Sequence, residues 1–159
     1  MQESSFSEEE YVRVREKAEI AYKKISEVYC PYFKEKVHLN AKGWEHLLYK
    51  SRDNKRSKED QLMRLKLLKH VPLILISSYS VQGVGERVEW HKKKKHGRWE
   101  SSPIRIKYYE FIAVIGNSRI KIILKEEDSG PKYFWSIIPF WKINKITGKR
   151  ILHGGNLED

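Results

Sequence analysis

"IRIKYYEFIAVIGNSRIKIILKEE", residues 104–127, decides how the chain is read. Two β-branched runs flank Gly116 and Asn117. A short turn of that kind between such runs is a strong local hairpin signal. Residues 104–115 therefore form one strand, and residues 119–127 pair back against it. Downstream, "DSGP" turns the chain again, and "KYFWSIIPFWKI", residues 132–143, is the next strand. Pro139 falls at a bulge or an edge of that strand. Upstream, "LILISSY", residues 73–79, is short, apolar and β-branched, and reads as a further strand.

Before Val71 the period changes. Tyr11, Val14, Ala18, Ala21, Ile25 and Val28 recur at steps of three and four, one face of an amphipathic helix over residues 7–29. Ser7 with Glu10 three residues on is a capping box, and Pro31 ends the helix. Further helical pieces begin near residue 40 and span 58–69. "SRDNKRSKED" between them is a turn or a helix break. Cys30 falls at the end of the first helix as a small hydrophobe.

The expectation is one α+β domain over residues 1–159, with N-terminal helices packed on a three- to four-stranded antiparallel β-sheet. It divides into an N-terminal helix (1–36), a helical segment (37–70), a sheet (71–145) and a tail (146–159). Residues 80–102 interrupt the sheet and are too long and too charged for a tight turn. They form a β-hairpin arm or a loop standing off the sheet.

Lysine and arginine number 32 against 21 acidic residues, giving a formal net charge of +11 and a pI near 9.6. That balance suits nucleic acid, an anionic surface or an acidic protein partner. One cysteine excludes an internal disulfide and any cysteine-rich zinc site, and points to the reducing cytoplasm. No apolar run reaches membrane-spanning length, so no membrane role is expected. The glycines of "VQGVGERV" lack the Lys-Ser/Thr ending of a phosphate loop. His91 and His96 have no metal-ligand partners at the required spacing. No cofactor and no metal are expected.

What remains is basic and aromatic. Lys42 and His46 lie four apart on one helix face, with Arg52 and Arg56 following. A histidine can move a proton near neutral pH, and lysine or arginine can hold a phosphate. Together they suffice to begin cutting RNA: a ribose 2′-oxygen attacks the adjacent phosphate while cations stabilise the growing charge. Ser136, a hydroxyl amid apolar residues, needs a hydrogen-bond partner or faces a phosphate. Strict alternation would put Tyr133, Trp135, Ile137 and Pro139 on one sheet face and Phe134, Ser136, Ile138 and Phe140 on the other. Trp90, Trp99, Tyr108, Tyr109, Tyr133 and Trp135 can stack on bases where exposed. Arg105, Lys107, Arg119, Lys121 and Lys125 suggest a basic sheet face opposite the helices. Lys92, Lys93, Lys94 and Lys95, with Arg98, Arg119 and Lys121, are the candidate nucleic-acid contacts.

"GWEHLL", "LLKHVPLILISS", "YYEFIAVIGNSRIKIILKE" and "KYFWSIIPFWKI", in this order over residues 37–143, resemble the phage-associated BECR nucleases. That superfamily groups barnase, EndoU, the colicin-type tRNases and RelE-like toxins. Pro72 to Leu75 resembles the Pro-x-x-Ile element that opens the sheet, with Leu75 in place of the isoleucine, and Ser136 with Pro139 resembles the closing strand. The resemblance implies a metal-independent endoribonuclease of toxin or mobile-element type, a hydrolase acting on RNA such as tRNA. It aligns His46 with the helix histidine, Ser136 with the closing-strand hydroxyl, and Arg52 or Arg56 with a downstream basic residue. Lys42 joins them as a phosphate holder. An acidic antitoxin or immunity protein is the implied partner. The lysine-rich insertion at 91–98 departs from the family pattern and would grip nucleic acid without cutting it. The alternatives are a non-catalytic nucleic-acid-binding protein of a mobile element, or a basic adaptor for an acidic protein.

Overall fold

A computed structural model describes residues 6–139, together with the backbone of 141–143 and 150–152. Phe140 and most of the tail after residue 143 lie outside the described residues.

Helix α1 (Glu8–Ile25) starts at Ser7, whose Oγ accepts the Glu10 amide at 3.1 Å. It buries Tyr11, Ala18 and Tyr22. The helix does not run to Pro31. Ser26 takes φ 60 and ends it, and the chain enters strands β1 (Glu27–Cys30) and β2 (Glu35–His38). Val28 and Cys30 point inward by strand alternation, so Cys30 is a core residue of a strand rather than of a helix end. Helix α2 (Ala41–Leu48) is capped by Asn40, which accepts the Gly43 amide at 3.1 Å. The polar stretch that follows is a small hairpin, β3 (Tyr49–Ser51) with β4 (Asn54–Lys55), ending at Ser57, the cap of α3 (Lys58–Leu67).

Residues 73–79 are not a strand. A 3-10 turn (Leu68–His70) leads into helix α4 (Val71–Ile76), with Pro72 in its first turn. Val71, Ile74 and Leu75 are buried, the three- and four-residue spacing of a helix. Pro72 lacks an N–H that the first helical turn does not need.

The main sheet is larger than expected from the meander alone. Among the described residues it has six strands, ordered β1, β2, β8 (Tyr133–Pro139), β7 (Ser118–Glu127), β6 (Arg98–Ile115) and β5 (Gly83–Lys95). β2 pairs with β8 in parallel through His38 and Tyr133, and the other pairings are antiparallel, so the sheet is mixed. Short strands β9 (Trp141–Ile143) and β10 (Arg150–Leu152) pair separately. The segment read as an insertion is the distal half of one continuous hairpin. β5 pairs with β6 from Gly83↔Glu110 to Lys95↔Arg98. His96 and Gly97 turn it with φ 51 and 77, the two positive values that a type I′ turn requires.

The main core lies between one sheet face and the helices. Phe111, Ile122, Leu124, Phe134 and Ile137 meet Tyr22, Leu47, Leu65, Leu68 and Leu75. Phe134 and Ile137 share this core although three residues apart, because β8 carries a register shift: Leu124 faces Phe134, while Ile123 faces Ser136. Trp135 is the extra residue of this β-bulge. The strict alternation expected for β8 therefore fails, and Ile137 leaves the Trp135 face. The opposite sheet face is not the uniform basic surface expected. Arg105 and Lys107 follow the parity of Tyr109 and Phe111, on the helix side. The opposite face buries Ile104, Ile106, Tyr108 and Ile123 against Trp135.

Gly43 is where α2 touches β8. A Cβ there would lie 2.2 Å from the Phe134 carbonyl oxygen and 2.7 Å from the Tyr22 hydroxyl. Gly43→Ala is therefore expected to destabilise the fold by at least about 2 kcal/mol, read as a fall of several degrees in Tm by calorimetry.

Candidate functional site

One helix face and three strands enclose an open cleft of about 790 Å³. Lys42, Glu45 and His46 enter from α2, with Tyr49 continuing the same face. Lys50, Ser51 and Arg52 come from the β3–β4 hairpin, His91 from β5, Lys125 and Glu127 from β7, and Tyr133 and Trp135 from β8. Lysines and arginine supply four cations against Glu45 and Glu127.

The two histidines differ in the company they keep. His46 is 4% exposed and stacks on Trp135, ring centroids 3.9 Å apart and 15° from parallel. Its Nε2 lies 3.1 Å from Arg56 Nη2. A guanidinium only donates, so this ring nitrogen accepts. Arg56 Nε also donates to the His46 carbonyl at 2.9 Å. His91 is only partly buried, and its Nε2 lies 2.9 Å from Glu89 Oε2. Burial works to raise the Glu89 carboxyl. Hydrogen bonds from His91 and Arg87, with the Lys125 charge nearby, outweigh it and hold the group below the usual carboxylate range. An ionised carboxylate only accepts, so His91 Nε2 carries a proton and Nδ1 is left as its basic nitrogen.

Lys125 is buried, its ammonium 3.9 Å from the Trp135 ring and 5.7 Å from that of Tyr108. Burial brings its pKa below the ordinary lysine value, against the opposing pull of Glu89 and Glu127. Glu127 accepts from Tyr133 Oη at 2.8 Å and from Lys42 Nζ at 3.1 Å. Burial raises the Glu127 carboxyl, but these donors bring it below its ordinary value. Desolvation and the Glu127 charge push the Tyr133 phenol far up, so it stays a donor.

Of the residues expected to form the site, Lys42, His46 and Arg52 line the cleft. Arg56 and Ser136 do not. They belong to a buried network behind it. Arg56 reaches Asp60 Oδ2 at 3.4 Å, Arg64 Nε donates to Asp60 Oδ1 at 2.8 Å, and Arg64 Nη1 donates to Ser136 Oγ at 2.6 Å. Ser136 is fully buried, so its hydroxyl meets the need for a partner inside the protein rather than at a phosphate. Lys92, Lys93, Lys94, Lys95 and Arg98 are exposed at the end of the β5–β6 hairpin. Lys121 is buried and paired with Glu110 at 3.1 Å, so it is not presented to a ligand. Arg119 is half-buried six residues from Lys125 on the same strand, about 20 Å away at strand rise.

Glu127 and Glu89 were not singled out in the sequence, and Lys125 only as one cation of the expected basic sheet face. Arg87, Glu89 and His91 alternate on β5, which puts them on one face, and that period-two signal was available once residues 83–95 were taken as a strand. No group of three or more histidine, cysteine, aspartate or glutamate side chains suited to a metal ion occurs among the described residues. Among them, no helix is long and apolar enough to cross a membrane. No family model, curated protein or solved structure matches the chain.

The His46 contacts carry a consequence for stability. His46→Ala removes an acceptor from buried Arg56 and a stacking partner from Trp135. It is expected to cost about 2–4 kcal/mol, measured by chemical denaturation, rather than leave the fold intact.

Proposed function

We propose that the chain is a metal-independent endoribonuclease whose cleft cuts RNA by attack of a ribose 2′-oxygen on the adjacent phosphate. The observation that carries this reading is the contrast between the two cleft histidines. His46 Nε2 accepts from an arginine, whereas His91 donates to a carboxylate and keeps a basic nitrogen in a partly buried, cationic setting. The resemblance to the BECR nucleases adds support, with one reassignment. His46 forms the wall of the site, and His91 is the base.

In this mechanism Glu89 fixes the His91 ring and stabilises the imidazolium that forms. His91 takes the 2′-hydroxyl proton. The 2′-oxygen bonds to phosphorus as the bond to the 5′-oxygen breaks, leaving a 2′,3′-cyclic phosphate. Lys42, Arg52 and Lys125 stabilise the charge building on the phosphate. Lys125, made more acidic by burial, gives a proton to the departing 5′-oxygen. Lys93, Lys95 and Arg98 share the strand parity of His91 and continue the path of the RNA along the hairpin.

Purified protein incubated with an unstructured RNA in EDTA is expected to yield cyclic-phosphate ends by mass spectrometry and to spare DNA of the same sequence. His91→Gln should lower the single-turnover rate by roughly 10²–10⁴-fold. RNA bound but never cut would favour the second reading, a non-catalytic nucleic-acid-binding protein, for which the exposed lysines are the observation. An adaptor for an acidic protein would bind neither.

The lysines supply a separate expectation. Replacing Lys93 and Lys95 with serine should weaken binding about equally on all sequences. The log–log salt slope should fall by roughly 1.4–1.8, at ~0.7–0.9 per phosphate contact. An unchanged slope would show that these side chains touch no phosphate.

A further inference from the structure

The cleft uses only one face of the β5–β6 hairpin. Alternation puts a different set on its reverse: Val88, Trp90, Lys92 and Lys94 from β5, and Trp99, Ser101, Pro103 and Arg105 from β6. Trp90 stands opposite Pro103, Lys92 opposite Ser101, and Lys94 opposite Trp99. The two indoles are therefore on the same face, with Lys92 between them. They are 70% and 71% exposed, the most exposed tryptophans among the described residues. Nothing in the core or the cleft accounts for them.

We infer that this reverse face is a second nucleic-acid surface, selective for single strands, on which unpaired bases stack on Trp90 and Trp99 while Lys92 and Lys94 meet the phosphates. The inference rests on the nucleic-acid reading above but not on cleavage. Bases can stack on the faces of indoles exposed on a two-stranded ribbon only where those bases are free of a duplex. Four residues of strand separate the rows of Trp90 and Trp99, about 14 Å at strand rise. That is close to four steps of a stacked strand at ~3.4 Å each. The lysines beside and between the indoles supply positive charge where the phosphates of that strand would run. An anionic membrane is the competing ligand for tryptophan and lysine together. The order along the hairpin disfavours insertion: the tip, with Lys95, His96 and Arg98, is its most charged part, and the indoles sit behind it.

The test measures binding in a His91→Gln background, so that RNA is not consumed. The probes are a labelled unstructured 12-nucleotide RNA and the corresponding duplex. Trp90→Ala and Trp99→Ala should each weaken single-strand binding by roughly 5- to 100-fold and leave the duplex within about twofold. Phenylalanine at either position should restore most of the loss, which separates stacking from a change in the hairpin. Melting curves establish that each variant is folded. Unchanged single-strand affinity, or an equal loss on strand and duplex, overturns the inference. So does tryptophan-dependent binding to phosphatidylglycerol vesicles with RNA affinity unaltered. A wild-type protein that binds but never cuts RNA would remove the cleavage reading and leave this one standing. No RNA binding at low salt would remove both.

Discussion

Asp60 holds two guanidinium groups at once. Arg56 and Arg64 approach its two carboxylate oxygens from positions i−4 and i+4, and both arginine side chains are buried. Through Arg56 the aspartate reaches His46 on α2, and through Arg64 it reaches Ser136 on β8. Two successive helices and a strand distant in sequence are thus tied by one acidic side chain. Losing one partner of a buried charged pair costs about 3–5 kcal/mol, because the charges left behind are not resolvated. The position of the cleft's α2 wall relative to its β8 floor depends on this knot.

The bulge at Trp135 does the complementary work on the sheet. One extra residue lets β8 send Phe134 and Ile137 into the main core while Trp135 tips to the other side, under His46 and beside Lys125. The indole is an apolar surface with a negative face, so it accepts both a neutral ring and an ammonium. Burial of Lys125 against it makes that lysine more acidic than an exposed one. The cleft therefore offers, within one wall, a cation that parts with its proton more readily and a histidine oriented by a carboxylate.

Much of this was legible in the residues. The Ser7 cap, the helical period of α1, the hairpin around Gly116 and the basic arm all follow from local patterns, and local patterns survive folding. The failures share a physical cause. Val28 lies three residues after Ile25, a step that continues a helical face and also suits a strand beginning at residue 27. The signal is the same for both, and Ser26 decides between them. "LILIS" is β-branched enough for a strand, but the spacing of Val71, Ile74 and Leu75 fits helical burial. Composition spoke for one answer and tertiary packing for the other. For the site, helix spacing brought Lys42 and His46 together correctly. It could not show that Arg56 folds back onto His46, because that contact depends on a turn between them. His91 was set aside as part of an arm because its strand was not recognised as sheet.

Strand β5 has no neighbour on its outer side in the six-stranded sheet. An outer edge thirteen residues long, with no partner strand among the described residues, would ordinarily invite another chain to add a strand, the first step towards aggregation. Lys92, Lys93, Lys94 and Lys95 occupy the last third of that edge, the part furthest from the globular body. Two such edges brought side by side would align four positive charges with four more at strand spacing, about 5 Å apart. The same run that suits a polyanion thus keeps copies of the protein from joining one another. Shortening or neutralising it would expose the chain to edge-to-edge assembly.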